Sequence, residues 1–426
     1  MRLVEQGNTK ACFGGCLGLL VPLALTAFCS GQSLPPPGEP EAPGVSRLDQ
    51  RGRQFLARED VLAALDVYRR LRTVDPEAVE GLVGLGQVYL RLGRARIALK
   101  YAKTAVSRYP DHSPSAALHV ESLIRARMFE RAEAVADRYL RIVSRPCTKL
   151  ISAHASAMFR VQRIDDATRG YQRVLMLDAR HPEAHLRLGS GLLGPREIKR
   201  TERLREGVSR LRAGEFELAV DAFSAELLED PGNPVAHRLM GESLLARDSR
   251  RSIVEEDAEF LNLTKALSVS DVTSLPIAKF IPGFEDLSPD RKAAVIRSVR
   301  LFGKKLPRLI AIGGQHDLLM ELERTTDQAS RQRFRGRRTF DGRIWDDVRG
   351  MGGLRAATGI EALDDVRRLG FDTLAHEIAH QIHLYVMNRS YRLRIRALYQ
   401  QAEKESLFLD YYAGSNEAEY FAQGVE

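Results

Sequence analysis

The first half of the chain carries a repeated pattern of small, aliphatic and aromatic positions that predicts pairs of antiparallel helices. In the block LVGLGQVYLRLGRARIALKYAKTAVSRYP, four positions mark where two helices approach closely: Gly86, Tyr89, Ala98 and Ala105. Similar blocks end at prolines whose first three intervals are 34, 36 and 36 residues: Pro76, Pro110, Pro146, Pro182 and Pro231. A period near this length is typical of helical hairpins that stack into a solenoid.

Alignment of the other blocks on their prolines recovers the same kinds of residue: Gly52, Ala64, Tyr68, Gly207, Ala219 and Phe223. Small residues let the helices touch, the aromatic ring fills the groove of the next hairpin, and the proline ends the second helix. This pattern resembles the tetratricopeptide repeat over residues 46–248, with a break around residues 192–203. The resemblance implies a concave surface for a partner protein or peptide. A spacer that presents the C-terminal half is the alternative.

Beyond about residue 250 the repeat pattern stops and shorter elements are predicted. LPRLIAIGG, residues 306–314, has the branched aliphatic run of a strand, and residues 316–329 favour a helix. GGLRAATGIEAL, residues 352–363, favours a strand bounded by glycines, and a helix follows over residues 371–387. The glycine-bounded strand is either a sheet edge that pairs with an extended substrate or an ordinary internal strand.

The helix predicted over residues 371–387 contains the sequence HEIAH. His376 and His380 are four residues apart, so on a helix they project from one face and are able to share one metal ion. Glu377 lies next round the helix, within reach of water on that metal. Neutral imidazole suits Zn²⁺, and an open coordination position lets the ion lower the pKa of its water toward about 7. The motif therefore predicts a hydrolytic zinc site.

A third protein ligand has to come from elsewhere in the chain. His383 lies one turn beyond the histidine pair, so we expect it to support the site, to face the substrate or to line the cleft. Val386 occupies the place of the last histidine in the three-histidine class of zinc peptidases, which excludes that class. Downstream carboxylates are the remaining candidates: Glu403, Glu405, Glu417 and Glu419.

Two short motifs in the C-terminal part resemble the glutamate-zincin metallopeptidases, specifically the lethal-factor-like branch. They are HEIAH at residues 376–380 and NEAEYFA at residues 416–422, with Tyr412 just before the second. GRIWDDVRGMGG, residues 342–353, adds to the likeness, but no chemistry is assigned to it. The resemblance covers about residues 300–426 and implies an α+β zincin-like catalytic domain.

The resemblance also implies a role for individual residues. It makes His376, His380 and Glu419 the zinc ligands, Glu377 the general base, and Tyr412 a hydrogen-bond donor to the oxyanion. Two neutral imidazoles and one carboxylate leave Zn²⁺ with one net positive charge, which suits the polarisation of a carbonyl group. A helix-capping role for Glu419 and a core position for Tyr412 are the alternatives.

The N-terminal segment has the composition of a targeting signal. Residues 11–29 are uncharged and run into a proline-rich stretch over residues 33–44. This order predicts an export signal or N-terminal anchor over residues 1–31 and a proline-rich linker over residues 32–45. A cleaved signal, a lipoprotein anchored at Cys29 and an uncleaved membrane anchor all remain open. We therefore expect an exported or envelope-associated protein: secreted, lipid-anchored or in the cell membrane.

Cysteine content and charge narrow the predicted function further. Three of the four cysteines lie in the N-terminal segment, so Cys147 stands alone in the body of the chain and no disulfide framework is predicted. The net charge is +8, but the arginines are scattered among acidic residues rather than gathered into one block. We therefore predict solvated helix faces and no nucleic-acid binding.

Together these features predict a mostly α protein. A tetratricopeptide-like α-solenoid over residues 46–248 leads through a connecting segment, residues 249–299, to the zincin-like domain over residues 300–426. The predicted function is a zinc-dependent peptidase that acts on a polypeptide substrate, with a protein partner on the solenoid and membrane contact only through the N-terminal segment. A non-catalytic scaffold with an inactive peptidase-like domain and a zinc hydrolase with non-peptide substrates are the alternatives. The chain ends seven residues after Glu419, so the domain is either minimal or continues beyond this sequence.

The N-terminal signal makes a prediction about location. Cell fractionation should find the full-length protein outside the cytoplasm or on its membrane, because residues 11–29 are apolar enough to direct export. Deletion of residues 1–31 should leave the protein soluble in the cytoplasm. Recovery of the full-length chain as a soluble cytoplasmic protein with residues 1–31 intact would contradict the prediction.

Overall fold

The computed structural model describes residues 44–58, 60–253, 275–339, 341–364, 372–405, 407–408 and 413–425. These residues form two compact units. The solenoid unit comprises the described residues up to 253 together with residues 336–347, and the C-terminal unit comprises residues 275–335 and 348–425. Within the described ranges, no helix is long and apolar enough to cross a membrane. The predicted export segment lies outside the described residues.

The solenoid unit consists of helix pairs that pack in sequence order. The first helices of the first four pairs are α1 (Val45–Ala57), α3 (Val79–Arg91), α5 (Ser113–Arg125) and α7 (Thr148–Arg160). The second helices are α2 (Val61–Val74), α4 (Ala95–Arg108), α6 (Phe129–Ile142) and α8 (Ile164–Leu177). The remaining helices are α9 (Pro182–Arg187), α10 (Glu202–Arg212), α11 (Phe216–Glu229) and α12 (Pro234–Ile253). A kinked turn, Leu188–Leu192, follows α9 and is non-helical at Ser190 and Gly191. The predicted break falls between this turn and α10.

Small residues allow the paired helices to pack closely. A Cβ atom on Gly52 would lie 2.5 Å from the ring of Tyr68, and one on Gly207 would lie 2.4 Å from the ring of Phe223. The alanines predicted at helix contacts are fully buried: Ala64, Ala98, Ala105 and Ala219. A larger side chain at either glycine would displace the aromatic ring that fills the hairpin.

Left-handed turns end the first helices of four pairs. The left-handed residue is Gly93 (φ 68°) in the second pair and Gly214 (φ 73°) after α10, but Arg127 (φ 60°) and Gln162 (φ 63°) in the third and fourth pairs. The residue after each turn donates its N–H to a carbonyl five positions back, at 2.8 or 2.9 Å: Arg94 to Tyr89, Met128 to Leu123, Arg163 to Met158, and Glu215 to Arg210. These bonds hold the two non-glycine residues in a conformation that costs about 1–2 kcal/mol.

Residues 336–347 belong to the solenoid unit although they lie much later in the chain. The N–H of Ile344 donates to the carbonyl of Gly191 at 2.7 Å. Gly191 has a φ of 95°, and a Cβ atom there would lie 2.7 Å from the carbonyl oxygen of Ile344. An antiparallel bridge between Arg338 and Ile344 folds the segment back on itself. The first half of GRIWDDVRGMGG therefore packs against the solenoid.

The C-terminal unit contains a three-stranded sheet in the order β1–β3–β2, formed by β1 (Gln315–Leu319), β2 (Gly350–Met351) and β3 (Arg355–Gly359). β1 and β3 are parallel, whereas β2 is antiparallel to β3, with Gly350 opposite Thr358. The predicted glycine-bounded strand is thus the internal strand of the sheet, not its edge.

Helices pack against this sheet, and one of them carries the HEIAH motif. The α-helices are α13 (Ile277–Phe280), α14 (Pro289–Arg300), α15 (Leu306–Ala311), α16 (Thr373–Gln381), α17 (Arg389–Glu405) and α18 (Glu417–Gln423). A π-helical turn, Ile382–Val386, continues α16. Short 3₁₀ helices are Phe284–Asp286, Thr325–Asp327 and Ala329–Phe334, with Trp345–Asp347 in the solenoid unit. We call α16 the motif helix and α18 the ligand helix.

The apolar core of this unit begins before residue 300. Phe280 of α13 and Val295 of α14 belong to the same buried cluster as Leu374 and Ile378 of the motif helix. Helix α13 and all but the last residue of α14 lie inside the segment 249–299 that we predicted to be a connector. The core of the motif helix therefore draws on residues that precede the predicted domain boundary.

Two predictions for the segment before the motif helix were wrong. Residues 306–314 form α15 rather than a strand: Pro307 lies in its first turn, where a missing N–H breaks no helical hydrogen bond, and Leu306 and Leu309 bury one face. Residues 316–329 begin as strand β1 rather than a helix. Tertiary pairing with β3 decides this case, because β1 buries His316 and Leu319 against the core.

Burial of His119 predicts a pH-dependent stability of the solenoid. Its Nδ1 lies 2.6 Å from the hydroxyl of Tyr139. Burial lowers the pKa of His119 to about 4, and three positive side chains act in the same direction: Lys103, Arg131 and Arg138. The unfolded value is about 6.5, so the unfolded chain binds the proton more readily, and stability is full above that pH and decreases as the pH falls toward the folded-state pKa.

We therefore expect the free energy of unfolding to fall between pH about 6.5 and about 4, with His119 accounting for at most about 3 kcal/mol of that loss. Denaturant unfolding monitored by circular dichroism at several pH values measures the effect. His119→Gln should show a smaller loss over this range than the unsubstituted protein. An identical pH dependence for the two proteins would contradict the assignment.

Candidate metal centre

The start of the motif helix is fixed by a buried aspartate. Asp372 caps the helix by accepting a hydrogen bond from the N–H of Ala375 at 2.9 Å. The hydroxyl of Ser298, on α14, donates to the same carboxylate at 2.7 and 2.9 Å. Because the cap is held both by its own helix and by α14, the first turn, which carries His376, has a defined position in the core.

The two histidines of HEIAH face the same point. The Nε2 atoms of His376 and His380 are 3.1 Å apart, and their rings meet edge to face with centroids 4.8 Å apart. Both side chains are buried. The four-residue spacing on a helix produces this convergence, as the sequence predicted.

Glu419 reaches the same point from the ligand helix. Its Oε2 lies 3.2 Å from Nε2 of His376 and 3.5 Å from Nε2 of His380. Asn416 caps the ligand helix, because its side-chain oxygen accepts from the N–H groups of Ala418 at 2.9 Å and Glu419 at 3.0 Å. The capping function thus falls to Asn416, while the carboxylate of Glu419 points to the histidines.

The three donor atoms fit a tetrahedral metal ion. Zinc bonds of about 2.0–2.2 Å at tetrahedral angles place neighbouring ligand atoms about 3.3–3.6 Å apart. The separations between His376, His380 and Glu419 are 3.1, 3.2 and 3.5 Å. Within the described parts of the chain, this is the group of histidine, cysteine and acidic side chains with the geometry to hold a metal ion. Two imidazoles and a carboxylate are donors that zinc accepts.

The charge state of Glu419 also favours a cation. Burial raises the pKa of its carboxyl, but the hydrogen bonds and charges of His376 and His380 outweigh burial and lower the pKa to about 2. The carboxylate is therefore ionised in a site that water hardly reaches. A buried negative charge of this kind needs a positive partner, either an imidazolium or a metal ion.

Glu377, the predicted general base, is completely buried on the motif helix. Gly352, directly after β2, faces it: a Cβ atom on this glycine would lie 3.9 Å from Oε2 of Glu377. The second half of GRIWDDVRGMGG therefore runs past the glutamate. A bulkier residue than glycine would narrow the space beside this carboxylate.

The other predicted site residues lie in different surroundings. Glu417 accepts hydrogen bonds from Nε and Nη2 of Arg396 at 2.6 and 3.0 Å, and Glu403 and Glu405 are exposed on α17. His383 is buried with its ring 5.4 Å from that of Phe421. Tyr412 lies outside the described residues. Three of the predicted residues, His376, His380 and Glu419, therefore come together.

Gln381 and His316, which join the motif helix to the sheet, were not predicted as part of the site. The side-chain N–H of Gln381 donates to the carbonyls of Gln315 at 3.1 Å and Leu354 at 2.9 Å. Its oxygen lies 3.2 Å from Nδ1 of His316, whose Nε2 is 2.8 Å from the hydroxyl of Thr358. Gln381 directly follows the motif, but a glutamine carries no sequence signal that distinguishes a buried bridge from a solvated side chain.

Comparisons with known proteins concern the solenoid unit. Residues 50–113 match the family model described as tetratricopeptide repeat. The tetratricopeptide-like repeats predicted from the sequence are thus supported by a family match within the solenoid unit. No curated protein matches the chain.

Solved structures of other repeat proteins are similar to part of the chain. A thermophilic protein of this class from Thermus thermophilus is 21% identical, covers 47% of this chain and 100% of its own, and has a TM-score of 0.33. A tetratricopeptide repeat protein from Parabacteroides merdae is 13% identical, covers 60% of this chain and 84% of its own, and has a TM-score of 0.28.

The different positions of Glu419 and Glu417 make a matched test of the third ligand. Glu419→Gln removes the anionic donor, so we expect zinc affinity to fall by more than about 100-fold. Residues that only hydrogen-bond to metal ligands typically cost about 10- to 100-fold when they are replaced. Glu417→Gln should leave zinc binding unchanged and lower stability by less than about 1 kcal/mol, because it weakens only an exposed ion pair and a helix-end charge.

Competition with a chromophoric chelator measures the zinc affinity of both variants, and thermal unfolding measures their stability. Equal zinc affinities for the two variants would contradict the assignment of Glu419. A lower melting temperature with zinc retained in Glu419→Gln would instead indicate a structural role.

Proposed function

We propose that the protein is a zinc-dependent peptidase whose solenoid unit binds a polypeptide partner or substrate. The observation that carries the proposal is the convergence of three buried donor atoms, Nε2 of His376, Nε2 of His380 and Oε2 of Glu419, with separations of 3.1, 3.2 and 3.5 Å. The order of these residues in the chain also matches the resemblance to glutamate-zincin peptidases.

A hydrogen-bonded cluster without metal fits the same atoms less well. If both histidines are neutral, only one hydrogen bond can form between their Nε2 atoms, which are 3.1 Å apart. The carboxylate of Glu419 would compete as acceptor for the same N–H group. If one is an imidazolium, the second ring still directs a nitrogen at the same point. A cation accepts all three donors at once, which is why zinc is the better occupant.

The proposed reaction is hydrolysis of a peptide bond. Bound Zn²⁺ would polarise the substrate carbonyl and lower the pKa of a water molecule toward about 7. Glu377, next to His376 on the motif helix, would take the proton of the attacking water and pass it to the departing amine, work that typically contributes about 10²- to 10⁴-fold. A donor role for Tyr412 toward the oxyanion rests on the resemblance alone.

An extended substrate would enter beside Gly352. The sheet order β1–β3–β2 leaves β2 as an outer strand, and the chain after it passes Glu377. Outer strands bind extended peptides through main-chain hydrogen bonds. We therefore propose that the substrate pairs with the outer strand β2 rather than with the internal strand β3.

The tetratricopeptide-like repeats support the second half of the proposal. Repeats of this kind present long surfaces to other proteins, so a scaffold role stands even if the C-terminal unit proves inactive. The N-terminal segment would direct export, which would place both partner and substrate outside the cytoplasm.

Glu377→Gln separates metal binding from catalysis. The substitution keeps size and hydrogen bonding but removes the base, so we expect nearly stoichiometric zinc and hydrolysis of an unfolded protein lowered at least about 10²-fold. His376→Ala should lose both zinc and activity. Zinc analysis and release of fluorescent fragments from labelled casein measure the two properties.

Normal cleavage by Glu377→Gln would exclude this residue as the base. Stoichiometric zinc with no cleavage by the unsubstituted protein would favour the scaffold over the peptidase.

A further inference from the structure

Helix α17 leaves most of its surface exposed. The structure describes all of its residues, and of these only Ala402 is buried. One side of the helix packs toward the ligand helix. On that side Arg396 forms the ion pair with Glu417, and the hydroxyl of Tyr399 donates to the carbonyl of Gly414 at 3.1 Å. The rest of this 17-residue helix faces solvent.

The exposed surface of α17 carries large apolar side chains. Tyr391, Leu393 and Leu398 are 46–55% exposed. Tyr391 and Leu398 are seven residues apart, so they share one face of the helix. The flanking segments add Tyr385 and Leu407, which are also exposed. Single exposed leucines are ordinary on protein surfaces, but a group of this size around one helix is typical of an interaction site.

The same surface is positively charged. Residues 389–402 contain four arginines and no acidic residue. Arg389 and Arg394 form no ion pair within the described part of the chain. Arg394 is three residues after Tyr391 and four residues before Leu398, so its side chain lies between theirs on the helix surface. Helix α17 therefore presents positive charge and apolar side chains together.

An anionic lipid surface complements this combination. Apolar side chains enter the boundary between headgroups and acyl chains, while the long side chains of arginines extend their guanidinium groups to the lipid phosphates. Each basic residue near such a surface strengthens binding by about 1 kcal/mol, which is about fivefold. A nucleic acid would also attract the arginines, but it offers no apolar environment to the leucines. The predicted N-terminal signal or anchor would bring the chain to a membrane.

We propose that helix α17 binds the surface of a bilayer that contains anionic lipids, with Tyr391 and Leu398 at the headgroup boundary and Arg389 and Arg394 on lipid phosphates. This contact would add to the one predicted for the N-terminal segment. Because Arg396 joins α17 to the ligand helix, lipid binding would hold the candidate metal centre near the bilayer. The inference does not depend on zinc or on peptidase activity.

Quenching of tryptophan fluorescence by brominated lipids tests the inference with the full-length protein. Leu398→Trp places a fluorophore on the proposed face, and Leu62→Trp places one at an exposed position on α2 as the matched control. The vesicles contain brominated phosphatidylcholine with or without phosphatidylglycerol. We expect strong quenching of Leu398→Trp only with phosphatidylglycerol, and little quenching of Leu62→Trp. Both variants keep the N-terminal segment, so their difference reports the helix rather than the anchor.

Two charge variants in the Leu398→Trp background test the arginines. Arg389→Gln combined with Arg394→Gln should weaken lipid binding by the helix about 30-fold and so remove most of the quenching, because two basic residues are lost. Arg96→Gln combined with Lys100→Gln removes two charges from exposed positions on α4 and should leave the quenching unchanged. Glutamine forms helices about as well as arginine, so circular dichroism should show no loss of helix.

Equal quenching of Leu398→Trp and Leu62→Trp, or equal effects of the two charge variants, would overturn the inference. So would a blue shift of Leu398→Trp that grows with protein concentration in the absence of lipid, since the face would then bind a second copy of the chain. Glu377→Gln in the Leu398→Trp background should be quenched normally. Failure of the peptidase proposal and failure of this one therefore give different results.

Discussion

The removal of two imidazoles and a carboxylate from water is the constraint that organises the C-terminal unit. Each group loses hydration that only a well-placed partner replaces, so the helices that carry them need fixed positions. Asp372 and Ser298 hold the start of the motif helix, and Gln381 ties its end to β1 and to Leu354. Asn416 fixes the start of the ligand helix. These four hydrogen-bonding residues thus fix the two helices so that the metal-binding donor atoms lie close together.

In the solenoid unit the main constraint is close packing between helices. Its helices approach closely because glycine and alanine occupy the contacts, and aromatic rings such as those of Tyr68 and Phe223 fill the remaining volume. Some charged side chains are nevertheless buried in this packing, and Arg238 with Glu242 forms one such pair at 2.8 Å. Pairing of this kind offsets part of the desolvation cost that either charge would bear alone.

How well sequence predicted each part depends on the kind of signal. The repeats were predictable because their period recurs, and the histidine pair because its spacing has a direct geometric meaning on a helix. Short apolar runs have no such redundancy: residues 306–311 read as a strand but fold as a helix, since the same leucines suit both and the surrounding core decides. The position of Glu419 followed from the resemblance rather than from its own spacing. Bridges such as Gln381 with His316 join residues far apart in sequence, so no local pattern reveals them.

The insertion of residues 336–347 into the solenoid has a consequence for synthesis. A ribosome makes helices α1 to α12 of that unit first, yet Gly191 lacks the backbone partner that Ile344 supplies until far more of the chain has emerged. Domains usually fold in the order in which they are made. Here the solenoid unit is completed only when residues 336–347 have been synthesised, after much of the C-terminal unit. Neither unit is therefore encoded by a single continuous stretch of gene. To exchange the solenoid unit between proteins, recombination would also need one crossover before residue 336 and another after residue 347.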